Sequence, residues 1–132
     1  MTDEISVLVR EAVRARENAY CPYSGFRVGA ALLSKSGSVF VGCNVENASF
    51  AAGSCAERVA LGNAVANGEL EFSAIAVCGG DGPCMPCGVC RQALLEFGDI
   101  DVYCSDATGA DVRKYRLSDL LPEAFSKFSP DL

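Results

Sequence analysis

A three-layer α/β/α sandwich on a mixed sheet of roughly five strands is the fold class the sequence predicts. Three observations point to it. An early strand pair is joined by hairpin chemistry, later strands alternate with helical stretches, and residues 72–78 form an apolar run of the kind that is buried on both faces. At 132 residues the chain supports one domain, taken as residues 1–132.

The elements follow in order. Thr2 is placed to cap a helix in which Ile5, Leu8, Val9, Ala12 and Val13 recur at helical spacing, opposite Arg10, Glu11, Arg14 and Glu17. The Cys21-Pro22-Tyr23-Ser24-Gly25 stretch breaks it. Residues 26–33 read as a strand, 34–38 as a hairpin turn containing Lys35 and Gly37, and 39–43 as the partner strand. Residues 42–50 are too polar and too interrupted to continue it and form a loop. Ser54 is positioned to cap a helix that begins near Cys55 and runs through Ala60, Leu61, Ala64 and Val65 to a stop at Asn67-Gly68. After the strand at 72–78 come a Gly-rich loop at 79–83, a helix over 87–97, a short strand at 102–104 and another at 112–117. Ser118 is expected to cap a last short helix that Pro122 ends.

Composition narrows the chemistry. Half the residues are apolar, so the chain can bury a core, and the formal charge of −6 argues against a phosphate-backbone partner. Histidine is absent, which removes Ser-His-Asp triads, Cys-His proteases and the HExxH zinc helix. No apolar run is long enough to span a bilayer, and the acidic start lacks the features of a signal peptide. A reducing cytoplasm is the expected compartment, where the eight cysteines point to metal binding or chemistry rather than disulfides.

Two segments concentrate that chemistry: Cys55-Ala56-Glu57-Arg58 and Pro86-Cys87-Gly88-Val89-Cys90-Arg91-Gln92. A Cys-x-x-Cys pair at a helix start sets two thiolates about one turn apart, close enough to share a tetrahedral zinc. A third thiolate from another helix start, Cys55, leaves the fourth position open to water, as in catalytic rather than structural sites. Glu57 can lie beside the metal without ligating it and shuttle protons, the pattern of three-cysteine zinc deaminases. Three thiolates around one Zn²⁺ leave a net negative charge, which helix N-termini and a neighbouring cation can offset. Arg58 and Arg91 are the candidates to donate to the sulfurs, Arg58 foremost.

Taken together with Tyr23-Ser24-x-Phe26-x-Val28-Gly29-Ala30-Ala31-Leu32, Gly42-Cys43-Asn44-Val45-Glu46-Asn47-Ala48 and Leu120-Leu121-Pro122-x-x-Phe125, these segments resemble, in order and over nearly the whole chain, the small zinc-dependent homotetrameric cytidine deaminases. The resemblance implies a cytidine deaminase-like fold and hydrolytic deamination of cytidine and 2′-deoxycytidine in pyrimidine salvage. It implies one zinc per chain held by Cys55, Cys87 and Cys90, with Glu57 as proton shuttle. Phe26 would pack on the pyrimidine, Asn44 and Glu46 would hold ribose hydroxyls, and the Ala56 backbone would contact the base. Phe125 of a neighbouring chain would close each shared pocket, with no nucleic acid or membrane as partner. Phe50 stands where the family usually has Tyr, so a phenolic hydrogen bond is not available there.

Other readings compete. An aminonucleoside-antibiotic deaminase of the blasticidin kind shares the zinc motifs, although the Phe26 and Asn44–Glu46 segments favour cytidine. Cys84-x-x-Cys87-x-x-Cys90 also resembles part of an iron–sulfur run, and its first Cys-x-x-Cys a thioredoxin-like redox motif, which leaves Cys55 and Glu57 unexplained. A non-catalytic zinc or iron–sulfur module is the alternative from a different class. Cys21, Cys43, Cys78 and Cys104 are expected as small buried apolar residues.

Overall fold

The structure, a computed structural model, describes residues 1–127; the end of the expected domain, 128–132, lies outside the described residues. Helix α1 (Asp3–Arg16) forms as its pattern requires. The Ile5 N–H donates to Thr2 Oγ1 at 3.3 Å, Asp3 and Glu4 occupy the first turn, and Arg14 and Arg16 the last. Its apolar face, Ile5, Leu8, Val9, Ala12 and Ala15, is buried.

Strands β1 (Gly29–Ser34) and β2 (Val39–Cys43) pair antiparallel around the tight turn, and β3 (Phe72–Cys78) pairs antiparallel with the other edge of β1. β3 runs parallel to β4 (Asp101–Ser105), which takes β5 (Val112–Arg116) antiparallel as the outer edge. The order is β2-β1-β3-β4-β5, a mixed five-stranded sheet. The parallel pair is made through helix α3 (Gly88–Leu95), since parallel neighbours need a crossover.

All six residues of β1 are buried, the signature of a strand covered on both faces. Ala31, Leu33, Ala74, Ala76 and Cys78 face α1, while Ala30, Leu32, Ile75, Val77, Val102 and Cys104 face the other helical layer. That layer holds α2 (Ala56–Ala66), α3 and the four-residue α4 (Leu117–Leu120), so the expected three layers are present.

Backbone hydrogen bonding corrects three local expectations. Phe26 lies outside β1, because its N–H donates to Ser24 Oγ and its carbonyl accepts from Asn44 Nδ2 instead of entering the ladder. Cys55, rather than Ser54, occupies the cap position of α2, and the Ser54 hydroxyl turns to the Cys55 carbonyl. Ser118 lies within α4, where Arg116 is the cap and the Ser118 N–H is taken by Asp99 Oδ1.

Candidate metal centre and active site

Cys55 and Cys87 are the cap residues of α2 and α3, and Cys90 lies in the first turn of α3. Because α2 and α3 pack side by side on one face of the sheet, their first turns bring the three sulfurs within 4.8 Å of one another. The Cys55 and Cys87 sulfurs stand 3.7 Å apart. Sulfurs bound at about 2.3 Å to a tetrahedral ion would be about 3.8 Å apart, so the spacing suits zinc. Cys84, which the sequence could join to Cys87 and Cys90, is not part of this set among the described residues. It is half-buried, its sulfur against Gly79.

The surroundings tune these groups. Burial pushes the Cys90 thiol up, the Glu57 charge adds to it, and a cation is what would favour its thiolate. Burial also raises Cys87, but the N–H groups of Cys90 and Val89 with the Cys90 and Cys55 thiols outweigh it and hold Cys87 below its ordinary value. Arg58 Nη2 donates to Cys55 Sγ at 3.5 Å, and the Cys55 and Cys90 sulfurs raise its pKa, so the guanidinium stays charged beside the thiolates. Arg58 Nε is buried without a partner among the described residues. Arg91 departs from expectation. It donates to the Pro86 and Leu120 carbonyls rather than to sulfur.

Glu57, in the first turn of α2, is 3 % exposed. Burial raises its pKa above the usual carboxylate value, against the opposing pull of its own N–H, the Cys90 thiol and Arg58. A carboxyl whose pKa is raised by burial, beside three thiols that could hold a metal ion, is suited to accept a proton and return it.

A cleft of about 600 Å³, within the range of small-molecule sites, opens beside Cys55 and Arg58 and is lined by Asn44, Glu46 and Phe50. Glu46 accepts from the Tyr23 and Ser24 N–H groups and from the Ser24 hydroxyl. The Ser24 hydroxyl and N–H lead in holding its carboxyl below the usual range, so it stays ionised. Asn44 Oδ1 accepts from the Val28 N–H at 2.9 Å while Nδ2 donates to the Phe26 carbonyl at 2.8 Å. Phe26 does not line this cleft; half-exposed, its ring lies against Gly79 and Gly80, where a Cβ would come within 3.1 and 2.9 Å of it. Ala56 is fully buried behind Cys55, and Phe125 is 76 % exposed on the segment after α4. Phe50 is 97 % exposed, in a 3₁₀ turn at Phe50–Ala52.

The larger groove of about 730 Å³ lies on the α1 side of the sheet, near Met1, Tyr103 and Lys114, away from the thiols. Cys78 and Cys104 are buried as expected, whereas Cys21 and Cys43 are only partly so. Three contributors escaped the sequence reading: the Ser24 hydroxyl, the Gly79-Gly80 seat for Phe26, and the Gln92 amide, which donates to the Phe125 carbonyl at 2.7 Å. Only Ser24 left a trace, as a hydroxyl two residues before Phe26 that can bond a nearby backbone N–H.

The family model of the cytidine and deoxycytidylate deaminase zinc-binding region matches residues 2–106. A cytidine deaminase of Sporosarcina psychrophila is 45% identical over 127 residues, covering 94% of this chain and 93% of its own. One from Halalkalibacterium halodurans is 48% identical over 123 residues, covering 91% and 92%. The crystal structure of cytidine deaminase from Burkholderia pseudomallei superposes with a TM-score of 0.87 at 50% identity, covering 95% of this chain and all of that one. The cytidine deaminase structure from Mycobacterium tuberculosis gives 0.81 at 40% identity, covering 95% and 98%.

Proposed function

Since the chain belongs to the cytidine and deoxycytidylate deaminase family, we propose that Cys55, Cys87 and Cys90 hold its zinc and that Glu57 carries the protons of the reaction. That reaction is the hydrolytic deamination of cytidine to uridine and ammonia. Three thiols within 4.8 Å of one another, with a carboxylate buried beside them in the first turn of the same helix as Cys55, carry this assignment.

Zinc, when bound, supplies Lewis acidity that makes water a stronger acid and nucleophile. Glu57 takes a proton from the attacking water and delivers it to ring N3, then passes the second to the 4-amino nitrogen, which leaves as ammonia. Both protons of water are thereby accounted for, and the oxygen stays on C4. Arg58 balances the thiolates, and the helix N-termini at Cys55 and Cys87 add partial positive charge. Asn44 and Glu46 face the cleft with polar atoms suited to ribose hydroxyls. Each Asn44 amide group has one bonding site left after its contacts to the 26–28 segment. A site that binds sugar hydroxyls this way rejects the free base cytosine, which carries none. The family resemblance supports Phe26, whose half-exposed ring lies outside this cleft against Gly79 and Gly80, as the ring platform and the Ala56 backbone as a base contact, with 2′-deoxycytidine as a second substrate.

The exposed Phe50 and Phe125 side chains support a homotetramer in which Phe125 of a neighbouring chain closes each pocket. One domain over 1–132, a role in pyrimidine salvage and a cytoplasmic setting complete the proposal. All eight cysteines are free thiols, which suits a reducing compartment, and among the described residues no helix is long and apolar enough to cross a membrane. Ammonia release is the decisive assay, run with cytidine beside cytosine and CMP, with and without a chelator. Turnover of cytidine alone, abolished by the chelator, is expected; turnover that survives metal removal would sink the site.

A further inference from the structure

Resting on the assignment of Cys87 as a zinc ligand, we infer that Arg91 is a positioning residue of the metal centre whose guanidinium holds the peptide carbonyl that precedes Cys87. Cys87 is the exposed ligand and ends a loop containing Gly79, Gly80 and Gly82, so its place is not secured by packing of its own side chain. Arg91 supplies what packing does not. Its side-chain Nε donates to the Pro86 carbonyl at 2.7 Å, next to the Cys87 carbonyl that the first main-chain bond of α3, from the Arg91 N–H, already holds at 3.0 Å. The carbonyl on one side of Cys87 is thus held by the helix backbone and the carbonyl on the other by the guanidinium, and only the second depends on the Arg91 side chain.

The same guanidinium reaches further. Arg91 Nη1 donates to the Leu120 carbonyl at 2.7 Å, at the end of α4, and the adjacent Gln92 amide holds the Phe125 carbonyl at 2.7 Å. The start of α3 therefore ties the ligand loop to the C-terminal segment. Both Arg91 contacts are charge-assisted bonds to neutral carbonyls, and the planar fork of a guanidinium aims its Nε and Nη donors along separate fixed directions. A lysine ammonium, a compact point charge on a flexible stem, cannot reproduce both. No thiolate is needed to explain the orientation of Arg91, which distinguishes it from Arg58.

The test compares Arg91→Lys and Arg91→Ala with the parent protein in a zinc competition against a chromophoric chelator. Arg116→Lys serves as control, since it weakens the ion pairs that the outer strand makes to Asp99 and Asp101 without touching the ligand loop. Zinc affinity is expected to fall about 10–100-fold in both Arg91 variants, to stay at the parental value in Arg116→Lys, and kcat in Arg91→Lys to recover when zinc is added in excess. If Arg91→Ala fails to fold, Arg91→Lys decides alone. Unchanged zinc affinity in Arg91→Lys, or an equal loss in Arg116→Lys, overturns the inference. A parent protein that binds no zinc overturns the metal assignment itself, and the inference with it.

Discussion

Gly42 sits in β2 directly against the first turn of α2, and replacing it with alanine should displace the helix that carries Cys55 and Glu57. A Cβ there would lie 2.4 Å from the Ala60 nitrogen and 2.5 Å from the Ala56 oxygen, the donor and acceptor positions of one helical hydrogen bond. Both neighbours are backbone, so no side chain can swing aside. Restoring ordinary contact at 3.4 Å requires a shift of about 1 Å, and overpacking of that kind costs about 1–3 kcal/mol. For a chain of this length that corresponds to a fall in Tm of about 3–12 °C. The activity loss is expected to be larger in proportion, because about 1 Å of misplacement between reacting groups can cost about 100-fold. Thermal unfolding and kcat/KM for cytidine at saturating zinc measure the two effects on the same preparation. A Gly42→Ala protein with parental Tm and parental kcat/KM would refute the close approach of β2 to α2 and the claim that α2 sets the site.

Glu57→Gln, which keeps the shape of the side chain, should retain zinc while kcat falls by about 10²–10⁴; loss of metal would show Glu57 to be a ligand instead. Cys55→Ala should lose both zinc and turnover, measured by metal analysis alongside the ammonia assay. Asp99 offers a pH-dependent test of stability. It accepts from the Ser118 N–H at 2.9 Å and Arg116 Nε at 3.0 Å; burial raises it, but these partners hold it below the usual carboxylate range. Its contribution is therefore complete above the unfolded value of about 3.9 and lost as pH falls through the lower folded value. Asp99→Asn should melt below the parent at neutral pH and converge with it in acid, and a gap that widens on acidification would contradict the sign.

Much of the fold was legible because its signals are local. The Thr2 cap and the apolar spacing of α1, the turn chemistry between β1 and β2, and the unbroken apolar run of β3 each depend on neighbours a few residues away. The three-thiol cluster was legible for a related reason. Cys87 and Cys90 lie within one helical turn, and the absence of histidine left thiolates and carboxylates to do the work. The misplaced strand start at Phe26 shows where such reading stops. Its apolar side chain suits a strand, but Asn44 and Ser24 had already taken its backbone groups, and Asn44 is distant in sequence.

The sequence by itself carried the element types, the expectation that Cys55, Cys87 and Cys90 come together and the proposal of an acid–base role for Glu57, since residue chemistry and short spacings carry those. Tertiary structure alone decided that Cys55 meets Cys87 at 3.7 Å, that Arg58 turns to sulfur while Arg91 turns to the carbonyls of Pro86 and Leu120, and that Gly42 lets α2 approach. Each depends on how two helices are seated on one face of the sheet. A guanidinium beside a cysteine in sequence has several partners within reach, and only the packed arrangement of loop, helix and C-terminal segment selects among them.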